Sequence, residues 1–164
     1  MPGELADKVI LLTGGGDGIG AECALAYAHE GARVAILDRN VEAAQAVAAC
    51  CGSASFALKA DVADGEQVKQ AVAEVLRLCG RIDAVHNNAG VASPSLPVHS
   101  TTEPEWDHLF RVNVKSVYWT TRFAFPALAD SKGTILNTAS MVGLVGPERP
   151  CSVCCHEGRI DLAD

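Results

Sequence analysis

A glycine-rich segment near the N-terminus has the composition of a loop that binds phosphate groups. It reads Thr13-Gly14-Gly15-Gly16-Asp17-Gly18-Ile19-Gly20 and lies between a predicted buried strand and a predicted helix. Glycine is needed where the backbone turns tightly and where it approaches a pyrophosphate without an intervening Cβ atom. The N–H groups and partial positive charge of the helix N-terminus then attract the phosphates. The segment predicts a dinucleotide-binding loop; a plain glycine-rich turn is the alternative, which the flanking strand and helix disfavour.

Asp38 follows the second predicted strand, 33–37, where a carboxylate can accept hydrogen bonds from the ribose hydroxyls of an adenosine. Its negative charge would repel a 2′-phosphate, and Asp17 in the glycine loop would add to that repulsion. Arg39 acts in the opposite direction, because arginine can hold a phosphate. We therefore expect NAD as the cofactor, with NADP as the less favoured alternative. A simple turn residue is the alternative interpretation of Asp38.

Two polar residues further along the chain are candidates for catalysis. Ser140 follows the fifth predicted strand, 133–139, at the end where open α/β sheets place their ligands. Its hydroxyl could donate a hydrogen bond to a substrate carbonyl or alkoxide; an ordinary serine at a strand end is the alternative. Asn113 lies on an apolar helix face, where a buried amide needs partners, and a satisfied core asparagine is an equal alternative.

Alternating strands and helices must position these residues. The predicted strands are 8–13, 33–37, 55–60, 82–86 and 133–139, and the predicted helices are 18–30, 41–51, 65–79 and 103–129. Such alternation gives parallel strands joined by right-handed crossovers. The predicted fold class is α/β, a doubly wound parallel sheet (Rossmann fold) of about five strands in the order 3-2-1-4-5. Capping boxes are predicted at Asp64 with Gln67 and at Thr102 with Glu105.

Two separated motifs resemble the short-chain dehydrogenase/reductase family. They are Thr-Gly-x-x-x-Gly-Ile-Gly at 13–20 and Asn-Asn-Ala-Gly at 87–90, and the resemblance extends over 8–145. It implies an NAD(P)-dependent alcohol dehydrogenase or carbonyl reductase, an oxidoreductase that transfers hydride between a nicotinamide ring and a small alcohol or ketone. It further implies that Asp61, followed by Val62, contacts the adenine, and that Asn87 to Gly90 support the sheet and line the cofactor site.

Together, the glycine loop and the resemblance define the predicted site. The residues expected to bind the cofactor are Thr13, Gly14, Gly16, Asp17, Gly18, Ile19, Gly20, Asp38, Arg39, Asp61, Val62, Asn87, Asn88, Ala89 and Gly90. By the resemblance, Ser140 is the catalytic serine and Asn113 joins a proton relay through a water. No metal site is expected, because Cys151, Cys154 and Cys155 beside His156 lack a matching second pair of ligands.

The resemblance also implies a tyrosine about a dozen residues after the serine, acting as general acid/base, and a lysine four residues later that lowers its pKa. The chain has two tyrosines, Tyr27 and Tyr118, and both precede Ser140. Val153 and Glu157 stand where the tyrosine and lysine are expected. The motif is absent, which predicts a C-terminally truncated family member with impaired catalysis and an incomplete sheet.

The codons of 151–158 suggest an origin for this tail. If Val153 is encoded by GTA and Glu157 by GAA, a shift of one base creates tyrosine and lysine codons at the required spacing. We therefore expect a cofactor-binding domain over 1–146 followed by an irregular, frameshifted tail over 147–164; a splice variant and a natural truncation are the alternatives. The coding DNA would distinguish them.

The truncation has consequences for stability and assembly. The fifth strand would be an edge, and helix 103–129 would expose apolar surface, so marginal stability is expected. The resemblance implies homo-oligomers paired through helix 103–129 in the full-length family, and the loss of its partner helix weakens that expectation for this chain.

Charge and hydropathy limit the remaining functions. The net charge of −7 argues against nucleic acid or an anionic membrane as a partner, and no apolar run is long enough to cross a membrane. Without a secretory signal pattern, a cytoplasmic location is expected. No Gly-Lys-Ser/Thr follows the glycines, which excludes a phosphate-loop phosphotransferase. A non-catalytic dinucleotide-binding fragment and a regulatory or interaction module remain as alternatives to the enzyme.

Overall fold

Five strands form one parallel sheet in the computed structural model, which describes residues 3–92 and 98–141. The strands are β1 (Val9–Thr13), β2 (Arg33–Asp38), β3 (Phe56–Lys59), β4 (Ala84–Asn87) and β5 (Thr134–Asn137). Their order is β3-β2-β1-β4-β5, and every neighbouring pair is parallel. The predicted doubly wound α/β sheet and its strand order are confirmed. The predicted tail 147–164, with its cysteine cluster, lies outside the described residues.

Helices connect the strands and cover both faces of the sheet. They are α1 (Gly18–His29), α2 (Val41–Cys50), α3 (Gly65–Cys79), α4 (Glu103–Phe110) and α5 (Ser116–Ser131), with a short 3₁₀ turn at Val98–Ser100. The Asn40 side chain caps α2 by accepting the Ala43 N–H, as the preference for asparagine at this position predicts. No helix in the described residues has both the length and the apolar character needed to span a membrane.

The sequence prediction of one helix over 103–129 is wrong in its interior. Between α4 and α5 lies a five-residue π segment, Arg111–Lys115. Such segments leave no trace in the 3.6-residue periodicity from which helices are predicted. Pro126 lies inside α5 and does not end it. The helix continues to Ser131, and Lys132, which follows it, is in the left-handed conformation (φ +53°).

The capping box predicted at Asp64 also takes a different form. Asp64 accepts hydrogen bonds from the N–H groups of the first turn of α3, but its own N–H donates to the Asp61 carbonyl. The Gln67 amide therefore donates to the Asp64 carboxylate (3.0 Å) and accepts the Asp61 N–H (3.0 Å). This arrangement ties Asp61 to the start of α3. At α4, Thr102 accepts the Glu105 N–H as predicted (3.4 Å).

The core has two layers because successive strand residues point to opposite faces of the sheet. Leu11, Leu37 and Val85 face α3 and α5, whereas Leu12 and Ile36 face α1 and α2. All five side chains are fully buried. The strands in the middle of the sheet therefore read as continuous apolar runs, as expected for a parallel sheet covered on both faces.

A buried carboxylate joins β1 to β4 at the amino edge of the sheet. Asp83 accepts the Val9 N–H (2.9 Å) and two hydrogen bonds from the Arg81 guanidinium, and the Lys8 ammonium lies 3.7 Å away. Burial alone would raise the pKa of Asp83, but the Arg81 and Val9 hydrogen bonds and the charges of Arg81 and Lys8 lower it below its ordinary value. Asp83 thus stabilises the edge opposite the predicted site.

Candidate functional site

A cleft of about 500 Å³ opens at the carboxyl edge of β1, β2 and β4. Its lining consists of Gly14, Asp17, Ile19, Gly20, Leu37, Asp38, Arg39, Ala60, Asp61, Val62, Asn88, Ala89, Gly90, Val91, His108, Val112 and Thr138. This is the edge at which open α/β sheets bind ligands, where the strand order reverses. Most of the residues predicted to bind a cofactor meet here, although they come from four separate parts of the chain.

The glycine loop packs so closely that side chains are excluded. A Cβ atom on Gly20 would overlap the Gly14 carbonyl oxygen and lie 2.6 Å from the Asn88 Nδ2 atom. Gly14 has φ +64°, and a Cβ atom there would lie 2.7 Å from the Ala89 Cα atom. Glycine at these positions lets the loop, the start of α1 and the end of β4 meet at one point. The first turn of α1 lines the cleft through Ile19 and Gly20, and the Gly18 N–H donates to the Asp17 carboxylate (2.7 Å).

The Asp38 carboxylate is held in place beside this loop. One oxygen accepts the Gly16 N–H and the other accepts the Asn40 N–H, both at 2.9 Å. Each carboxylate oxygen can accept a further hydrogen bond, so Asp38 remains able to bind a hydroxyl group. Gly16 does not line the cleft; its N–H positions Asp38 instead. Arg39 lines the cleft and is exposed.

Two other predicted residues lie behind the cleft wall. Thr13 is buried, and its hydroxyl accepts the N–H groups of Asn88 and Ala89, both at 3.1 Å. Asn87 is buried, accepts the Thr120 hydroxyl (2.6 Å) and donates to the Asn137 side chain (2.8 Å). Thr13 therefore joins the glycine loop to β4, and Asn87 joins β4 to its neighbours.

The cleft continues past β3. Asp61 and Val62 both line it; Asp61 is exposed and accepts the Ala63 N–H (2.9 Å), while Val62 is buried. The sequence prediction missed His108 and Val112, which reach the cleft from α4 and the π segment. In the sequence, only their position indicates this role: they lie on the predicted helix that follows the Asn-Asn-Ala-Gly motif and passes the carboxyl edge of the sheet.

The two candidate catalytic residues do not line the cleft in the described part of the chain. Asn113 lies in the π segment, where its Oδ1 atom accepts the Val91 N–H (2.8 Å) and its Nδ2 atom donates to the Val91 carbonyl (2.9 Å). It thereby anchors the backbone that follows Gly90. Ser140 is exposed beyond the end of β5. The catalytic roles of both residues stay predictions.

Buried polar contacts connect α1 to the cleft. His86 on β4 is 3% exposed, and its Nδ1 and Nε2 atoms lie 3.1 Å from the Tyr27 hydroxyl and 2.9 Å from the Thr138 hydroxyl. Burial lowers the pKa of His86, and burial together with the nearby Cys23 thiol raises the pKa of Tyr27. Both groups are therefore neutral near pH 7. The other tyrosine, Tyr118, is exposed.

No group of three or more His, Cys, Asp or Glu side chains within 3–92 and 98–141 is arranged to hold a metal ion. The cleft wall contains carboxylates, backbone amides and apolar surface, a donor set typical of sites for organic ligands with a few polar groups.

Comparison with known proteins connects this geometry to a family. The chain matches the short chain dehydrogenase family model over residues 8–152. It is 34% identical over 155 residues to an L-fucose dehydrogenase from Bos taurus, covering 94% of this chain and 57% of that protein. It is 38% identical over 165 residues to a cyclopentanol dehydrogenase from Comamonas testosteroni, covering 98% and 65%.

A solved structure with a similar fold is that of a 3-ketoacyl-(acyl-carrier-protein) reductase from Brucella melitensis complexed with NADH. It has a TM-score of 0.90 and 32% identity, with coverage of 94% of this chain and 66% of that one. The chain thus spans 57% to 66% of the length of these relatives. The glycine loop, the Asn-Asn-Ala-Gly turn and the strand order all lie within the matched region. The chain belongs to the short-chain dehydrogenase family.

Proposed function

We propose that the chain binds NAD(H) in the cleft, as the dinucleotide-binding part of an oxidoreductase that transfers hydride between NAD(H) and a small alcohol or ketone. The observation that carries this proposal is the Asp38 carboxylate, fixed by two backbone N–H groups beside the glycine loop. A carboxylate there suits the ribose hydroxyls of an adenosine.

The residues present fit a dinucleotide. The cradle at Gly14 and Gly20 excludes any Cβ atom, and the first turn of α1, which lines the cleft at Ile19 and Gly20, would offer its remaining free N–H groups to a pyrophosphate. Asp38 would hold the ribose, and Asp61 with Val62 would contact the adenine, as the family resemblance implies. When bound, the nicotinamide supplies the hydride acceptor or donor.

Charge supports NAD over NADP. Two like charges in contact repel by about 1 to 4 kcal/mol in the range between bulk water and a protein surface, so Asp38 disfavours a 2′-phosphate. Asp17 lines the same cleft and adds to the effect, while the exposed Arg39 opposes it. The Asp38 carboxylate is held by two backbone N–H groups, whereas Arg39 is exposed. The fixed carboxylate is therefore expected to dominate.

Catalysis by the 164 residues is proposed to be weak. Neither tyrosine lines the cleft, because the Tyr27 hydroxyl contacts His86 and the Tyr118 hydroxyl accepts a hydrogen bond from Arg122 (2.8 Å). Loss of a general acid/base typically reduces turnover by about 10²- to 10⁴-fold. The names of the relatives favour alcohols as the substrate class. A dinucleotide-binding protein with little turnover is the function that these observations support together.

Isothermal titration of the purified chain with NADH and NADPH tests the cofactor proposal. NADH should bind more tightly, and Asp38→Asn should reduce that preference by about tenfold, the equivalent of about 1.4 kcal/mol. Glu30→Gln is the control, because the Glu30 carboxylate also accepts a backbone hydrogen bond, from the Glu4 N–H, but lies outside the cleft. Tighter binding of NADPH by the unchanged chain contradicts the preference, and binding of neither nucleotide contradicts the proposed function.

Turnover is measured separately, with cyclopentanol as substrate and NADH absorbance as the readout. We expect nucleotide binding with only trace oxidation. Oxidation at a rate typical of enzymes, with about 10 turnovers per second as the median, would refute the proposal of weak catalysis while leaving cofactor binding intact.

A further inference from the structure

A continuous chain of polar side chains runs from helix α1 through the sheet to the glycine loop. It comprises Tyr27, His86, Thr138 and Asn88, joined by contacts of 3.1 Å, 2.9 Å and 3.2 Å. The chain ends where the Asn88 Nδ2 atom donates to the carbonyl oxygens of the first two loop residues, at 3.3 Å and 3.1 Å. Asn88 and Thr138 line the cleft, whereas Tyr27 and His86 have no part in the chemistry proposed above.

The loop end of the chain fixes the direction of every hydrogen bond in it. A backbone carbonyl can only accept, so the side of the Asn88 amide that faces two carbonyls must be its NH₂ group. The Asn88 Oδ1 atom then faces Thr138 and can only accept. The Thr138 hydroxyl has one proton and must donate it to Asn88.

The direction of donation also determines which ring nitrogen of His86 carries the proton. Because the Thr138 proton is directed at Asn88, the Thr138 oxygen must accept from the His86 Nε2 atom, which therefore carries the ring proton. In the neutral ring the Nδ1 atom is then an acceptor, and the Tyr27 hydroxyl must donate to it. The reverse order would leave the Asn88 Oδ1 atom facing an oxygen without a proton between them.

The position of Asn88 makes this direction relevant to ligand binding. Its Nδ2 atom is the group that a Cβ atom on Gly20 would meet at 2.6 Å, so the amide sits between the glycine loop and the start of α1. A rotated amide would place an oxygen against two carbonyl oxygens and push the loop away. The orientation of Asn88 thus controls the shape of the phosphate cradle.

We infer that Tyr27 and His86 are positioning residues for the dinucleotide cleft, acting through Thr138 on the Asn88 amide by a hydrogen-bond chain with one direction of donation. This inference rests on the proposed function. A purely structural alternative is that Tyr27 and His86 serve only as a packed pair, since their rings meet edge to face at 5.9 Å. Packing would be retained without the Tyr27 hydroxyl, which provides the means to separate the two.

The first test concerns the histidine alone and needs no nucleotide. Nitrogen NMR of the ¹⁵N-histidine-labelled chain should show His86 protonated on Nε2, with its signals assigned by their loss in His86→Gln. In Thr138→Val the Nε2 atom loses its acceptor, and the Nδ1-protonated form should become populated. An Nδ1-protonated ring in the unchanged chain overturns the direction of the hydrogen bonds.

The second test is the affinity for NADH. Tyr27→Phe should weaken binding by about fivefold, the equivalent of one typical hydrogen bond, whereas Tyr118→Phe, at the exposed tyrosine, should leave it unchanged. His86→Leu should weaken binding by about tenfold, and His86→Gln, which can donate and accept, should restore most of it. Should His86→Leu fail to fold, Tyr27→Phe still provides the comparison.

The outcomes separate this inference from the proposed function. Folded Tyr27→Phe and His86→Leu variants that bind NADH as tightly as the unchanged chain overturn the positioning role and leave the proposed function standing. A His86→Gln variant that recovers thermal stability but not NADH affinity also overturns it. If the unchanged chain binds no NADH, the proposed function and the positioning role both fail, while the tautomer result still reports on the hydrogen-bond direction.

Discussion

Replacing Thr13 with valine removes a hydroxyl from the centre of the cleft wall and keeps the side-chain volume nearly constant. The hydroxyl accepts the N–H groups of Asn88 and Ala89 at 3.1 Å each, and both of these residues are half-buried. A donor left without a partner costs about 1 to 3 kcal/mol when buried, and partial exposure favours the lower value. Thr13→Val leaves two such donors without a partner, at about 1 kcal/mol each, and should therefore lower the free energy of unfolding by about 2 kcal/mol.

For a domain of this size, 2 kcal/mol corresponds to a decrease in Tm of about 4 to 8 °C. Differential scanning calorimetry measures it directly. Thr13→Ser is the matched control, because it keeps the hydroxyl and loses one methyl group, at a cost of about 0.8 kcal/mol. A valine variant that melts at or above the temperature of the serine variant would refute the stabilising role of the Thr13 hydroxyl.

Two further variants test opposite edges of the sheet. Asp83→Asn should lower the free energy of unfolding by about 1.5 to 3 kcal/mol, since it weakens charged hydrogen bonds from Arg81. The pKa of Asp83 is below its ordinary value in the folded chain, so its contribution is present above the ordinary pKa of an aspartate, about 4, and is lost as pH falls through the folded pKa. Urea titrations across this range should show a smaller acid destabilisation in the variant. Gly20→Ala should abolish NADH binding measured by titration, because its Cβ atom would overlap the Gly14 carbonyl. An alanine variant that is folded and binds NADH normally would contradict the described loop geometry.

The sheet could be predicted from the sequence because its signals are local. The apolar runs of β1 and β2, the helix cap at Asn40 and the glycine loop each lie within a few adjacent residues. Where these signals follow one another in the order strand, helix, strand, the handedness of crossovers leaves few possible arrangements. Most of the predicted cofactor residues that line the cleft belong to the same local motifs, because the motifs end the strands that form the cleft.

The polar chain from α1 to the cleft could not be predicted in this way. Tyr27, His86 and Thr138 are far apart in sequence. Thr138 reaches His86 because β4 and β5 pair in one register, with His86 opposite Leu136, and Tyr27 reaches His86 from α1. No periodicity encodes that pairing. The contact of Asn113 with the Val91 backbone depends likewise on a turn that brings the two residues together.

The π segment makes the number of residues between α4 and α5 critical. Each α-helical residue advances the side-chain direction by about 100°, so one additional residue between α4 and α5 turns the whole of α5 by that amount. It lets the amide of Asn113 reach Val91 while Ser116, Thr120, Ala124 and Leu128 are buried along α5. Deleting one exposed residue here, such as Val114, would leave only one of these two faces in register. A substitution at an exposed position here keeps both faces in register, whereas a change of one residue in length requires the cleft or the core to be rebuilt.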